Sequence, residues 1–242
     1  PDTVWSYRDL AEAVNRYGNH LLSLGLKPGE RLLMVVRDCP EFIAIFFGAI
    51  KAGIVPVAVN TMMRAADYEF LIGDCEGAGL IYSASLAPVV EPAVRACAFK
   101  PARAMTVEEF VGGASVASPE LEPAPAHHMD DCFWLYSSGS TGNPKGVVHP
   151  HRSMVCTSER FAANTAGLRE DDTVFSVSKL FHSYGFGNAM TFPLWVGATI
   201  ALSDERVSPE MSFRMIEHFR PTVFFGVPTL YAAQCRALET MT

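Results

Sequence analysis

Tyr136-Ser137-Ser138-Gly139-Ser140-Thr141-Gly142-Asn143-Pro144-Lys145-Gly146 is the stretch of this 242-residue chain best equipped for chemistry. Its glycines can take positive φ and let the backbone approach a ligand closely. Successive N–H groups can then form an anion-binding nest, with the hydroxyls of Ser137, Ser138, Ser140 and Thr141 as further donors. Lys145 adds a flexible ammonium able to follow phosphate oxygens as charge builds on a leaving group. The hydroxyls of Ser140 and Thr141 are of the kind that reach Mg²⁺ in other nucleotide loops. Phosphate is the ligand this composition suits. The G-x-x-x-x-G-K-[ST] pattern is not met, because Pro144 stands where its second glycine would fall. A flexible Ser/Gly linker is the plain alternative, but linkers are rarely framed by runs such as Cys132-Phe133-Trp134-Leu135 and Val147-Val148-His149.

A second constellation is Lys179-Leu180-Phe181-His182-Ser183-Tyr184-Gly185-Phe186-Gly187-Asn188. It follows a strand-like run, where the loops of α/β proteins face a ligand crevice. Rings beside glycines there make a flat apolar wall; ordinary core packing of Phe and Tyr is the plain alternative. No metal site is expected. His127-His128 lacks a third ligand nearby, and Pro150 separates His149 from His151. Ser137 and Ser138 lack the G-x-S-x-G surroundings of a hydrolase nucleophile.

The elements that must position these groups alternate. Ser6 caps a helix to about Leu24, and Arg31–Val36 reads as a strand buried on both faces. A helix over 41–52, a strand over 54–59, a helix over 67–75, a strand over 79–82 and a helix over 85–98 follow. Residues 112–128 turn to Gly, Ala, Ser, Pro and Glu and read as an exposed connection. Beyond the glycine-rich loop come a helix over 153–166, a strand over 174–177, a helix over 187–196 and a strand over 198–202. A helix begun by Ser208-Pro209, a strand over 222–226 and a helix from Pro228 complete the series. This spacing argues for βαβ units and a parallel sheet.

Composition narrows the function classes. At 49% hydrophobic and 19% charged residues, with a formal charge of -7, the chain is globular and lacks the basic balance of a general nucleic-acid or membrane-surface binder. Six scattered cysteines without C-x-x-C spacing read as reduced thiols of a cytoplasmic protein, and no apolar run is long enough to span a bilayer.

Tyr136 to Val147 closely resembles the signature loop of the acyl-adenylate-forming enzymes, which include acyl-CoA synthetases, peptide-synthetase adenylation domains and luciferases. The segments around Lys179–Asn188, Thr191-Phe192-Pro193-Leu194 and Gly226-Val227-Pro228-Thr229-Leu230-Tyr231 are most similar to benzoate-CoA and 4-hydroxybenzoate-CoA ligases. The resemblance implies an α/β fold of two βαβ-built lobes, mostly parallel sheets flanked by helices, incomplete at the C-terminus. It assigns 31–168 to one lobe, with the loop 136–146, and 1–27 with 171–242 to the other.

It further implies an ATP-dependent aromatic acid–CoA ligase. Carboxylate and ATP would give acyl-AMP and pyrophosphate, and CoA would then take the acyl group as a thioester, with Mg²⁺ required. Ser137, Ser138, Gly139, Ser140, Thr141, Gly142, Lys145 and Gly146 would hold the β- and γ-phosphates, with Lys145 and Thr141 acting catalytically. His182, Ser183, Tyr184 and Gly185 would line the pocket for a small aromatic carboxylate. A carboxylate nucleophile is already ionised at neutral pH, so His182 and Tyr184 are assigned to positioning and not to proton transfer. The family's adenine, ribose, hinge and C-terminal lysine blocks are absent from the 242 residues, so the expectation is an N-terminal portion that is inactive alone. A domain loading a carrier protein and a non-catalytic nucleotide-binding module are the alternatives. The acid and any homo-oligomeric state are left open.

Overall fold

The computed structural model describes residues 3–137 and 142–241. The chain divides into two compact units, 1–151 and 152–242. The first is built on a six-stranded sheet in the order β4-β3-β1-β2-β5-β6. Its strands are β1 (Arg31–Val35), β2 (Val55–Ala58), β3 (Gly79–Tyr82), β4 (Arg103–Thr106), β5 (Asp131–Ser137) and β6 (Lys145–Pro150). β1 to β5 pair in parallel, and only β6 runs antiparallel, against β5. The helices are α1 (Tyr7–Ser23), α2 (Pro40–Lys51), α3 (Ala65–Cys75), α4 (Ala87–Ala96) and α5 (Val107–Ala114).

β2 and β3 are buried along their whole length, as strands covered by helices on both faces must be. One core gathers Leu33, Val35, Val57, Val59, Tyr68, Leu71, Leu80 and Val90 from β1, β2, β3, α3 and α4 and the turns beside them. α1 opens with a capping box, in which Ser6 Oγ accepts from the Asp9 N–H at 3.2 Å and the Asp9 carboxylate accepts from the Ser6 N–H at 2.8 Å.

Two findings depart from the sequence expectations. α1 lies within the first unit, packed on α2, and the division follows His151 instead of falling near 168–171. The reason is a close glycine crossing. A Cβ on Gly18 would meet the Leu121 side chain and sit 2.7 Å from the Gly48 carbonyl oxygen, and one on Gly48 would sit 2.8 Å from that of Val14, so the two helix backbones approach closely only because both residues are glycine. The stretch after residue 98 also carries β4 and α5, which extends α5 into residues expected to be an open connection.

The second unit holds a three-stranded parallel sheet in the order β8-β7-β9, made of β7 (Thr173–Ser176), β8 (Thr199–Ala201) and β9 (Val223–Phe225). Its helices are α6 (His151–Thr157, entering from the first unit), α7 (Ser183–Phe186), α8 (Phe192–Val196), α9 (Pro209–Phe219) and α10 (Pro228–Met241). A π-helical turn (Ser158–Ala163) continues α6, and a second (Gly187–Thr191) joins α7 to α8. The helix expected from Gly187 therefore starts four residues earlier, at Ser183. Phe175, Val177, Met211, Met215 and Leu230 form one core of this unit, and Ala162, Leu168, Val174 and Ala198 another.

Candidate active site

The phosphate-loop candidate is the connection of the β5–β6 hairpin. Ser137 stands opposite Lys145 and Tyr136 opposite Gly146, so the strands bring the two ends of the connection side by side. Ser138, Gly139, Ser140 and Thr141 lie outside the described residues. Gly142 has φ +130°, a conformation that favours glycine, and a Cβ there would meet nothing within 4 Å.

Alternation along the strands sorts the two faces of the hairpin. Trp134 and Tyr136 share a face with Gly146, where a Cβ would lie 3.1 Å from the Trp134 ring and 3.4 Å from that of Tyr136. Glycine at 146 leaves that space to the rings. The Tyr136 hydroxyl donates to Asp74 Oδ2 at 2.6 Å, tying the hairpin to the last turn of α3. Burial and the Asp74 carboxylate raise the Tyr136 pKa well above that of an ordinary phenol, so the bond keeps its proton. The Arg31 guanidinium lies 5.6 Å from the Trp134 ring centroid.

Ser137 and Lys145 share the opposite face. Lys145 is exposed, and among the described residues no hydrogen bond or ion pair engages its ammonium. Further along the same face Phe133 and His149 stack at 4.6 Å between centroids, 3° from parallel. A hydroxyl and an uncommitted ammonium on facing strand ends, with a positive-φ glycine between, are a donor set that fits a polyphosphate.

The second candidate cluster lies in the other unit, where the chain leaves β7. His182 donates its backbone N–H to the Lys179 carbonyl at 3.0 Å and accepts from the Phe186 N–H at 2.7 Å, which starts α7. Gly185 passes so close to the preceding loop that a Cβ would fall 2.2 Å from the Lys179 carbonyl oxygen and 2.3 Å from that of Ser178. That tight passage leaves His182, Ser183 and Tyr184 exposed in succession. The Phe181 and His182 rings are 4.4 Å apart. Partial desolvation lowers the His182 pKa below that of an ordinary imidazole, so its ring is neutral at pH 7, as suits packing against an apolar group. The Tyr184 hydroxyl donates to the Gly226 carbonyl at 3.1 Å.

Asp74 escaped the sequence reading, although a signal was present. A carboxylate in the last turn of a helix opposes the helix dipole and calls for a partner, which Tyr136 supplies. Among the described residues no group of three or more His, Cys, Asp or Glu is placed to hold a metal ion, and no helix is long and apolar enough to cross a membrane. All six cysteines are free thiols, and burial pushes those of Cys75 and Cys132 up to about 11 and about 12.

This hairpin on a mostly parallel α/β scaffold defines a class. The chain belongs to the AMP-binding enzyme family, whose sequence profile matches residues 1–241. It is 42% identical over 241 residues to the benzoate–CoA ligase of Thauera aromatica, a match covering 95% of this chain and 44% of that protein. The crystal structure of a benzoate CoA ligase from Burkholderia xenovorans LB400 superposes with a TM-score of 0.87 at 37% identity, over 95% of this chain and 46% of that one. The anthranilate CoA ligase AuaEII, crystallised in complex with anthranoyl-AMP, gives a TM-score of 0.91 at 31% identity, over 96% and 46% of the respective chains. The 242 residues thus span less than half the length of the relatives they match.

Proposed function

We propose that these residues are part of an ATP-dependent aromatic acid–CoA ligase of the acid–thiol class. The observation that carries this reading is the 42% identity to a benzoate–CoA ligase over 241 aligned residues, 95% of the chain. In the proposed reaction the carboxylate oxygen attacks the α-phosphorus of ATP, the bond from that phosphorus to the bridging oxygen breaks, and pyrophosphate leaves. CoA thiol then displaces AMP from the acyl adenylate. Loop N–H groups and the hydroxyls of Ser137, Ser138, Ser140 and Thr141 would hold the β- and γ-phosphates, with Gly139, Gly142 and Gly146 giving the backbone its close approach. Lys145 would neutralise the charge growing on pyrophosphate. The hydroxyls of Ser140 and Thr141 are the groups that would reach a Mg²⁺ ion brought with ATP, which would offset phosphate charge.

His182, Ser183, Tyr184 and Gly185 would form a wall of the acyl pocket. Gly185 is the residue that lets the backbone turn tightly enough to present the other three. Partial desolvation lowers the His182 pKa, which suits a ring that shapes that wall without exchanging protons. The cytoplasm, where ATP and CoA are at hand, is the compartment we assign. The test is product identification after incubating the full-length protein with benzoate, ATP, Mg²⁺ and CoA. Benzoyl-CoA, AMP and pyrophosphate in equal amounts are expected; ADP as the nucleotide product, or no thioester with any aromatic acid, would reject the reading.

A further inference from the structure

Gly226, directly after β9, has both of its backbone polar groups taken by tyrosine hydroxyls from different segments. Its carbonyl accepts from Tyr184 at 3.1 Å, and its N–H donates to the Tyr231 hydroxyl at 3.1 Å. A Cβ at 226 would fall 2.6 Å from Tyr231 Cζ and 2.8 Å from its hydroxyl oxygen, so Tyr231 can take this place only over a glycine. Phe225 meets Tyr184 edge-on at 6.5 Å, and Phe224 meets Tyr231 edge-on at 5.8 Å. We propose that Gly226 and Tyr231 are positioning residues that lock the Tyr184 ring in place and thereby set the affinity for the aromatic carboxylate.

The physical case rests on what each group gives up. A peptide group costs free energy when its hydrogen bonds are lost, and both bonds of Gly226 go to tyrosine hydroxyls. The Tyr184 ring stays 45% exposed while its hydroxyl is held at the far end by the Gly226 carbonyl. Such a ring has an open face and little freedom to swing, which lowers the ordering cost when a flat ligand packs on it. Tyr231 completes the lock at one remove. It fixes the Gly226 peptide, and that peptide presents the carbonyl to Tyr184. A tie with a purely structural role would hold the helix to the loop equally well, so the discriminating readout is which kinetic constant moves.

This inference rests on reading 182–185 as the wall of the acyl pocket. The experiment is steady-state kinetics of the full-length protein and its Tyr231→Phe and Gly226→Ala variants, with benzoate and ATP varied separately. Tyr231→Phe keeps the ring and removes only the hydroxyl, so folding is preserved. The expected result is a rise in KM for benzoate of about 5-fold, the scale of one lost hydrogen bond, with kcat and KM for ATP within about twofold of wild type. Gly226→Ala should act in the same direction and more strongly, because its Cβ displaces Tyr231. If wild type turns over benzoate but Tyr231→Phe leaves its KM unchanged, or raises both KM values alike, the lock is overturned and the functional reading stands. If wild type forms no thioester with aromatic acids, the functional reading falls and the lock with it.

Discussion

Lys145 is the residue on which the proposed chemistry turns. Its ammonium is exposed and has no competing partner among the described residues, so its field is available to a ligand. Lys145→Ala should slow thioester formation about 100-fold, on the scale of removing one transition-state donor, while the thermal midpoint stays within about 2 °C because no packing is lost. A loss of midpoint matching the loss of rate would point to a structural lysine instead. Position 145 was singled out in the sequence because the residue types and spacing around it suggest a phosphate loop. The Asp74 anchor was not, since Tyr136 and Asp74 are 62 residues apart and only the fold brings them together. Gly185 was picked out as a site residue, but its physical reason, two carbonyl oxygens within 2.3 Å of a hypothetical Cβ, belongs to the folded chain.

Among the elements, the β5–β6 hairpin is held on one face by Trp134, Tyr136 and Asp74 while its opposite face presents Ser137 and Lys145. Tyr136→Phe removes one hydrogen bond and should cost about 1 kcal/mol in urea unfolding. It should also raise KM for ATP more than KM for the acid; the reverse order would detach the anchor from the phosphate loop. Gly185→Ala at the start of α7 puts a methyl against backbone carbonyls that cannot swing aside, and a loss of about 3 kcal/mol or failure to fold is expected. A variant of wild-type stability would mean the loop relaxes freely. β4 and α5 were missed because Arg103-Ala104-Met105-Thr106 is an edge strand with no apolar alternation. The capping box that starts α5 was nevertheless written in Thr106-Val107-Glu108-Glu109, with Thr106 Oγ1 accepting from the Glu109 N–H at 3.1 Å. Neither π-helical turn leaves a periodicity that could be read in advance.

At the scale of the whole molecule, the alternation of strands and helices was legible because buried parallel strands are written as short apolar runs between capped helices. The packing of α1 within the first unit was not, since it depends on Gly18 and Gly48 meeting across 30 residues of chain. Burial lowers the pKa of His20, His149 and His182 below 6.5. As pH falls the unfolded chain takes up protons first, so the stability present well above pH 6.5 declines as pH drops from there through the lowered folded-state pKa values. Urea midpoints should fall over that interval, and flat or rising midpoints would contradict the placement of these rings. The central claim, that the hairpin grips the polyphosphate of ATP while a carboxylate is adenylated, is tested most directly by exchange of labelled pyrophosphate into ATP by the full-length protein without CoA. The account predicts exchange that requires benzoate or a related aromatic acid and drops about 100-fold in Lys145→Ala. Exchange that ignores the aromatic acid, or that survives unchanged in Lys145→Ala, would contradict it.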